Sequence, residues 1–94
     1  MTREMTTYSL LIEGRVQGVC YRAWMREKAS KLAVAGWVRN LPSGQVEALV
    51  KGEEAVIDEL ITMCNNGPPL AAVTRVTKRE TNADQFESGF YIRY

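Results

Sequence analysis

No histidine occurs anywhere in the 94 residues. The commonest general acid or base near neutral pH, which is also the commonest metal ligand, is therefore missing. Cysteine is scarce too: Cys20 and Cys64 stand far apart in the chain and cannot make a zinc site by themselves. No run of apolar residues is long enough to cross a bilayer, and the opening "MTREMTTYS" lacks the basic-then-apolar layout of a signal peptide. Charge of either sign is not in excess, with 12 Lys and Arg against 11 Asp and Glu, and the basic residues are scattered. Such a chain has no general field for gathering nucleic acid. The expectation is a cytoplasmic protein whose chemistry manages without histidine and without a zinc site.

What is present suffices for one domain and one core, without staples and with little room for a second function. At 46% hydrophobic and 24% charged residues the composition is that of an ordinary globular protein. One domain over residues 1–94 is expected, with 1–6 as a flexible extension. Residues Tyr8 to Glu13 alternate as a strand, Tyr8, Leu10 and Ile12 on one face. After a loop, "YRAWMREKASKLAVAG" carries Met25, Ala29, Leu32 and Ala33 at helical spacing, and Gly36 is placed to close that helix. A hairpin spanning roughly Trp37 to Lys51 turns at "LPSG". A second helix follows from Glu53 to Cys64 with the stripe Val56, Ile57, Leu60 and Met63, stopped by "NNGPP". The remainder reads as a strand rich in Val and Thr, a polar loop and a short aromatic strand.

The order strand, helix, strand, strand, helix, strand, plus a terminal strand, fits an α+β fold of the ferredoxin-like split βαβ kind. Two helices then cover one face of an antiparallel sheet. With the strands before the two helices taken as parallel at the sheet centre, the helices would run roughly parallel. Cys20 and Cys64 would then sit about 15–20 Å apart, too far for a disulfide. Cys64 is expected to pack as a small hydrophobe.

The segment "GRVQGVCYR" connects the first strand to the first helix. Val16, Gln17, Gly18, Val19, Cys20 and Tyr21 all carry backbone N–H groups, and Gly18 can take the positive φ that points neighbouring amides into one concavity. The helix beginning near Tyr21 or Arg22 aims its free amides the same way, which suits an anion. Arg22 at the rim adds a two-pronged grip for phosphate oxygens. On the residues alone, a structural turn with a solvated arginine accounts for this stretch at least as well, and Asn40 reads as a turn residue before "LPSG". The Lys-Ser/Thr ending of a nucleotide-binding P-loop is absent. A rival reading takes Cys20 and Arg26 as a Cys-x5-Arg phosphatase signature that would form a phosphocysteine. Against it, the five residues between them contain no glycine and fit a helix.

"GRVQGVCYR" resembles the signature loop of the acylphosphatase family, and "GWVRN" at Gly36 to Asn40 resembles its second motif. "SGQVEALVKG", "GPPLAAVTRV" and "GFYIRY" extend the likeness over roughly residues 7–94. The resemblance implies the same sandwich fold and hydrolysis of acyl phosphates to a carboxylate and inorganic phosphate, without metal or cofactor. It implies that the amides of Val16 to Tyr21 and the guanidinium of Arg22 bind the phosphate, and that Asn40 positions the attacking water. Inorganic phosphate is then a product and inhibitor. The chemistry suits these residues, since a carboxylate with a conjugate acid of pKa about 4 leaves without a general acid. Cys20 is a candidate for redox control, with a monomer when reduced and a Cys20-linked oligomer when oxidised. A non-enzymatic module of the same fold, binding RNA through aromatics on its sheet, is the other alternative; "QVEALVK" offers no such ring. Trp24 and Trp37 read as packing residues.

Overall fold

The computed structural model describes residues 5–82 and 88–94. Along the chain these form β1 (Met5–Arg15), α1 (Tyr21–Lys31), β2 (Ala35–Asn40), β3 (Val46–Glu53), α2 (Glu54–Asn66), β4 (Ala72–Glu80) and β5 (Phe90–Ile92). The strands make one sheet in the order β4-β1-β3-β2-β5. Alternation along β1 and β3 turns Tyr8, Leu10, Ile12, Val46, Ala48 and Val50 into a core completed by Met25 and Ala29 of α1 and Ile57, Leu60 and Cys64 of α2. Cys64 is fully buried there, whereas Met63, expected in the stripe, is only partly buried. On the opposite sheet face Trp37 lies outside that core. It is covered by the guanidinium groups of Arg39 and Arg93, 5.4 and 4.7 Å from its ring centre.

Several expectations are corrected. β1 pairs with β3 antiparallel, not parallel. Each strand leads into the helix that returns over the sheet, so α1 and α2 run in opposite directions. The start of α1 therefore meets the end of α2: the Tyr21 hydroxyl donates to the Cys64 carbonyl at 2.6 Å. The inferred separation of Cys20 from Cys64 loses its basis, although both thiols are free, Cys20 exposed and Cys64 buried. The sheet is mixed, because β5 joins the edge beside β2 in parallel. Met5 and Thr6, expected in a loose extension, pair with Glu53 and Gly52. The polar loop expected before the last strand lies largely outside the described residues.

Nor does Gly36 end α1. Ala33 takes the left-handed conformation (φ 58°), and the amides of Ala33 and Val34 bond back to the carbonyls of Ser30 and Ala29 at 3.2 and 2.9 Å. That pair of bonds is a Schellman motif, usually built on glycine. Gly36 instead belongs to β2, where a Cβ would run into the carbonyl of Leu49 on β3.

Candidate active site

At its far end β1 bulges between Glu13 and Gly14. Gly14 has φ 118°, and any Cβ there would collide with the Ala72 carbonyl of β4, so the backbones meet only because this residue is glycine. The chain then leaves the sheet at Val16. Val16 and Val19 turn their side chains into the core and fasten the loop at two points. Between and after them the backbone becomes left-handed twice, at Gly18 (φ 74°) and at Cys20 (φ 63°). Gly18 has open space where a side chain would stand. Cys20 in this conformation was not foreseen, since a non-glycine residue there carries strain of about 1–2 kcal/mol.

Cys20 is the N-cap of α1, and its carbonyl accepts the Trp24 amide at 3.0 Å, closing the first turn. The amides of Tyr21, Arg22 and Ala23 consequently have no carbonyl behind them in the helix. Among the described residues no side chain caps this end, and no acidic residue stands in its first turn. The positive end of the helix dipole is left to whatever enters from the loop side. Tyr21 holds that end in place: its ring is buried, 5.3 Å from the Trp24 ring centre, and its hydroxyl reaches the end of α2. Burial raises the Tyr21 pKa well above the ordinary tyrosine value, and burial likewise pushes the Cys64 thiol up to about 12.

A cleft of about 420 Å³ opens at this corner. Val16, Gln17, Gly18 and Cys20 of the loop line it together with Tyr21, Arg22 and Ala23 of α1, Asn40 at the end of β2, and Ile92 and Tyr94. Of the residues expected in the site, Val19 alone is not among the lining, because its side chain faces the core. Ile92 and Tyr94 were not anticipated. The Arg22 guanidinium stands 5.1 Å from the Tyr94 ring centre, within cation–π range. Arg26 is exposed one and a half turns along α1 and does not reach the cleft, so Cys20 and Arg26 are not gathered around one anion.

Asn40 reaches the cleft from the end of β2. β2 does not lie beside β1; β3 separates them. The link between loop and hairpin is instead a side chain, Gln17, whose Nε2 donates to the carbonyls of Leu41 at 2.8 Å and Gln45 at 2.9 Å. Gln45 in turn donates from its own Nε2 to Glu13 at 3.0 Å. Loop residues, an open helix N-terminus, an arginine and an asparagine thus line one cleft. Such a set can hold a tetrahedral oxyanion and orient a small polar molecule beside it.

The family model described as acylphosphatase matches residues 8–92. The chain belongs to the acylphosphatase family. The acylphosphatase of Thiobacillus denitrificans is 50% identical over 89 residues, covering 95% of this chain and 98% of the relative. That of Rubrobacter xylanophilus is 45% identical over 91 residues, covering 97% and 83%. Among solved structures, acylphosphatase from Bacillus subtilis superposes with a TM-score of 0.89 at 33% identity, over 97% of this chain and all of that one. The ferredoxin-like α+β fold is thereby shared with structurally characterised family members, and the cysteine phosphatase and RNA-binding readings lose their footing. Among the described residues no cluster of Cys, Asp and Glu is arranged for a metal, and no helix is long and apolar enough to cross a membrane.

Proposed function

We propose that the protein hydrolyses small acyl phosphates to a carboxylate and inorganic phosphate at the cleft between the Val16–Tyr21 loop and Asn40. The observation that carries this is the convergence of an uncapped helix N-terminus, Arg22 and Asn40 on one cleft in a chain of the acylphosphatase family. In this reading the loop amides and the first amides of α1 take the phosphoryl oxygens, and Arg22 grips two of them. As the acyl C–O–P bridge lengthens, charge builds on those equatorial oxygens and on the departing carboxylate. Donors fixed in advance stabilise that charge without having to reorganise. Asn40 holds a water in line with the breaking P–O bond, its carbonyl oxygen accepting a hydrogen bond from that water without deprotonating it. The water oxygen forms the new P–O bond, the carboxylate leaves with the electrons of the old one, and the released proton passes to a phosphate oxygen. A leaving group this weakly basic needs no protonation, which reconciles catalysis with the absence of histidine.

Hydrolysis of acetyl phosphate and benzoyl phosphate, with chelator present and reductant varied, tests the reading. Activity that survives in Cys20→Ser, is lost in Arg22→Gln and is inhibited competitively by inorganic phosphate is expected. Loss in Cys20→Ser with retention in Arg22→Gln would overturn it. The proposal includes a cytoplasmic setting and a reduced monomer, in keeping with two free thiols. It also includes oxidative blockade: Cys20 is exposed at the mouth of the cleft, and a mixed disulfide or a Cys20-linked dimer there would obstruct it. A non-reducing gel without dimer and unchanged activity after oxidation would remove that part.

A further inference from the structure

The cleft has two halves that the sheet does not join directly. The loop of residues 16–20 hangs from β1 and α1, while Asn40 ends β2, and β3 intervenes. In-line attack demands that the water beside Asn40 and the phosphorus held by the loop keep a fixed separation. Something must therefore set the gap at the mouth of the sheet. Gln17 spans it. Its amide nitrogen has two hydrogens, and both are used, one on the Leu41 carbonyl at 2.8 Å and one on the Gln45 carbonyl at 2.9 Å. Those two carbonyls close the base of the β2–β3 turn: Gln45 accepts the Leu41 amide at 2.8 Å and Leu41 accepts the Gly44 amide at 3.1 Å. Leu41 directly follows Asn40, so the Gln17 amide fastens the loop one peptide away from the proposed water-holding residue.

We infer that Gln17 is a positioning residue for the reaction, its side-chain amide setting the spacing between the phosphate-holding loop and Asn40 by clamping the carbonyls of Leu41 and Gln45. The inference rests on the proposed hydrolysis and deepens it. Chemistry restricts the residue that can do this. Asparagine falls one methylene short, glutamate presents oxygen to two carbonyl oxygens, and methionine keeps the length but donates nothing. Gln45 and Glu13 brace the other side of the same turn, so removing the Gln17 clamp loosens the hairpin relative to the loop without unfolding it.

Gln17→Met tests this, with thermal unfolding measured to confirm a folded protein and Gln17→Ala as a second variant. For acetyl phosphate, kcat is expected to fall about 10- to 100-fold, as suits a displaced nucleophile. KM and the inhibition constant of inorganic phosphate should move less than about threefold, because the loop amides and Arg22 remain. A residue acting through Asn40 has little left to lose once Asn40 is gone. In an Asn40→Ala background the same Gln17 substitution should therefore cost less than about threefold. Equal loss in both backgrounds, or phosphate binding that weakens in step with kcat, would overturn the inference. If the native protein does not hydrolyse acyl phosphates, the proposed function fails by itself, and the clamp is read separately by hydrogen exchange. Exchange of the Leu41 amide should speed up about tenfold in Gln17→Met, by loss of a hydrogen bond to its partner carbonyl; an unchanged rate would exclude the clamp.

Discussion

At the scale of single residues, Arg22 and Asn40 are expected to fail in different ways. Arg22→Gln removes a charged fork that bonds to phosphate oxygens with about 1.5–3 kcal/mol per bond. Loss of at least about 100-fold in kcat/KM is expected, with phosphate inhibition weakened in parallel. Asn40→Ala should lower kcat about 100-fold while phosphate inhibition stays within about twofold, because the phosphate grip is intact. Steady-state kinetics with inorganic phosphate as inhibitor separate the two. Both residues were singled out by the resemblance of their two motifs, since by residue type alone a structural turn fitted them at least as well, and the fold brings both to one cleft. The left-handed Cys20 was not legible in the sequence, since only glycine advertises positive φ by its identity. The Gln17 clamp was equally hidden: its acceptors are backbone carbonyls, which every residue carries, brought into reach by the tertiary fold.

At the scale of elements, the hairpin from β2 to β3 was readable because its turn residues act locally. The end of α1 was misread for the opposite reason. Glycine is the usual residue to stop a helix, and Gly36 looked available, but β2 needs it against the Leu49 carbonyl and the left-handed position falls to Ala33. Ala33 is exposed, and its strain is relieved by removing the Cβ. Ala33→Gly is expected to raise stability by about 0.5–1 kcal/mol, measured by chemical denaturation, with activity unchanged. A destabilised variant would mean that the flexibility of glycine in the unfolded chain outweighs the relief. The relative direction of the helices went wrong at this scale too, because it depends on strand pairing between β1 and β3, which element order alone does not determine.

At the scale of the whole molecule, the opposed helices bury Tyr21 and Cys64 against one another, and that burial makes stability depend on alkaline pH. The Cys64 thiol moves from 9.0 to about 12, and the Tyr21 hydroxyl is raised as well, in both cases chiefly by desolvation. A raised value means that the folded chain holds the proton more tightly than the unfolded one. The Cys64 contribution is complete below about pH 9 and is lost as pH climbs toward 12, while that of Tyr21 begins to fall only above about pH 10, each at up to about 1.4 kcal/mol per pH unit. Denaturation between pH 8 and 11 should show this decline. Cys64→Ala, which keeps the carbonyl that Tyr21 uses, should make it shallower, and an identical slope would refute the assignment.

The cleft draws on residues 16–18 and 20–23, on Asn40 and on Ile92 and Tyr94, segments that neighbour one another only after β1, β2 and β5 have taken their places in the sheet. Contacts between such distant parts of a chain form slowly, because loop closure must precede the reward of pairing. Turnover in a refolding experiment is therefore a clock for the last strand to dock. Enzymatic activity should return no earlier than the burial of Phe90 on β5, however soon the helices have formed.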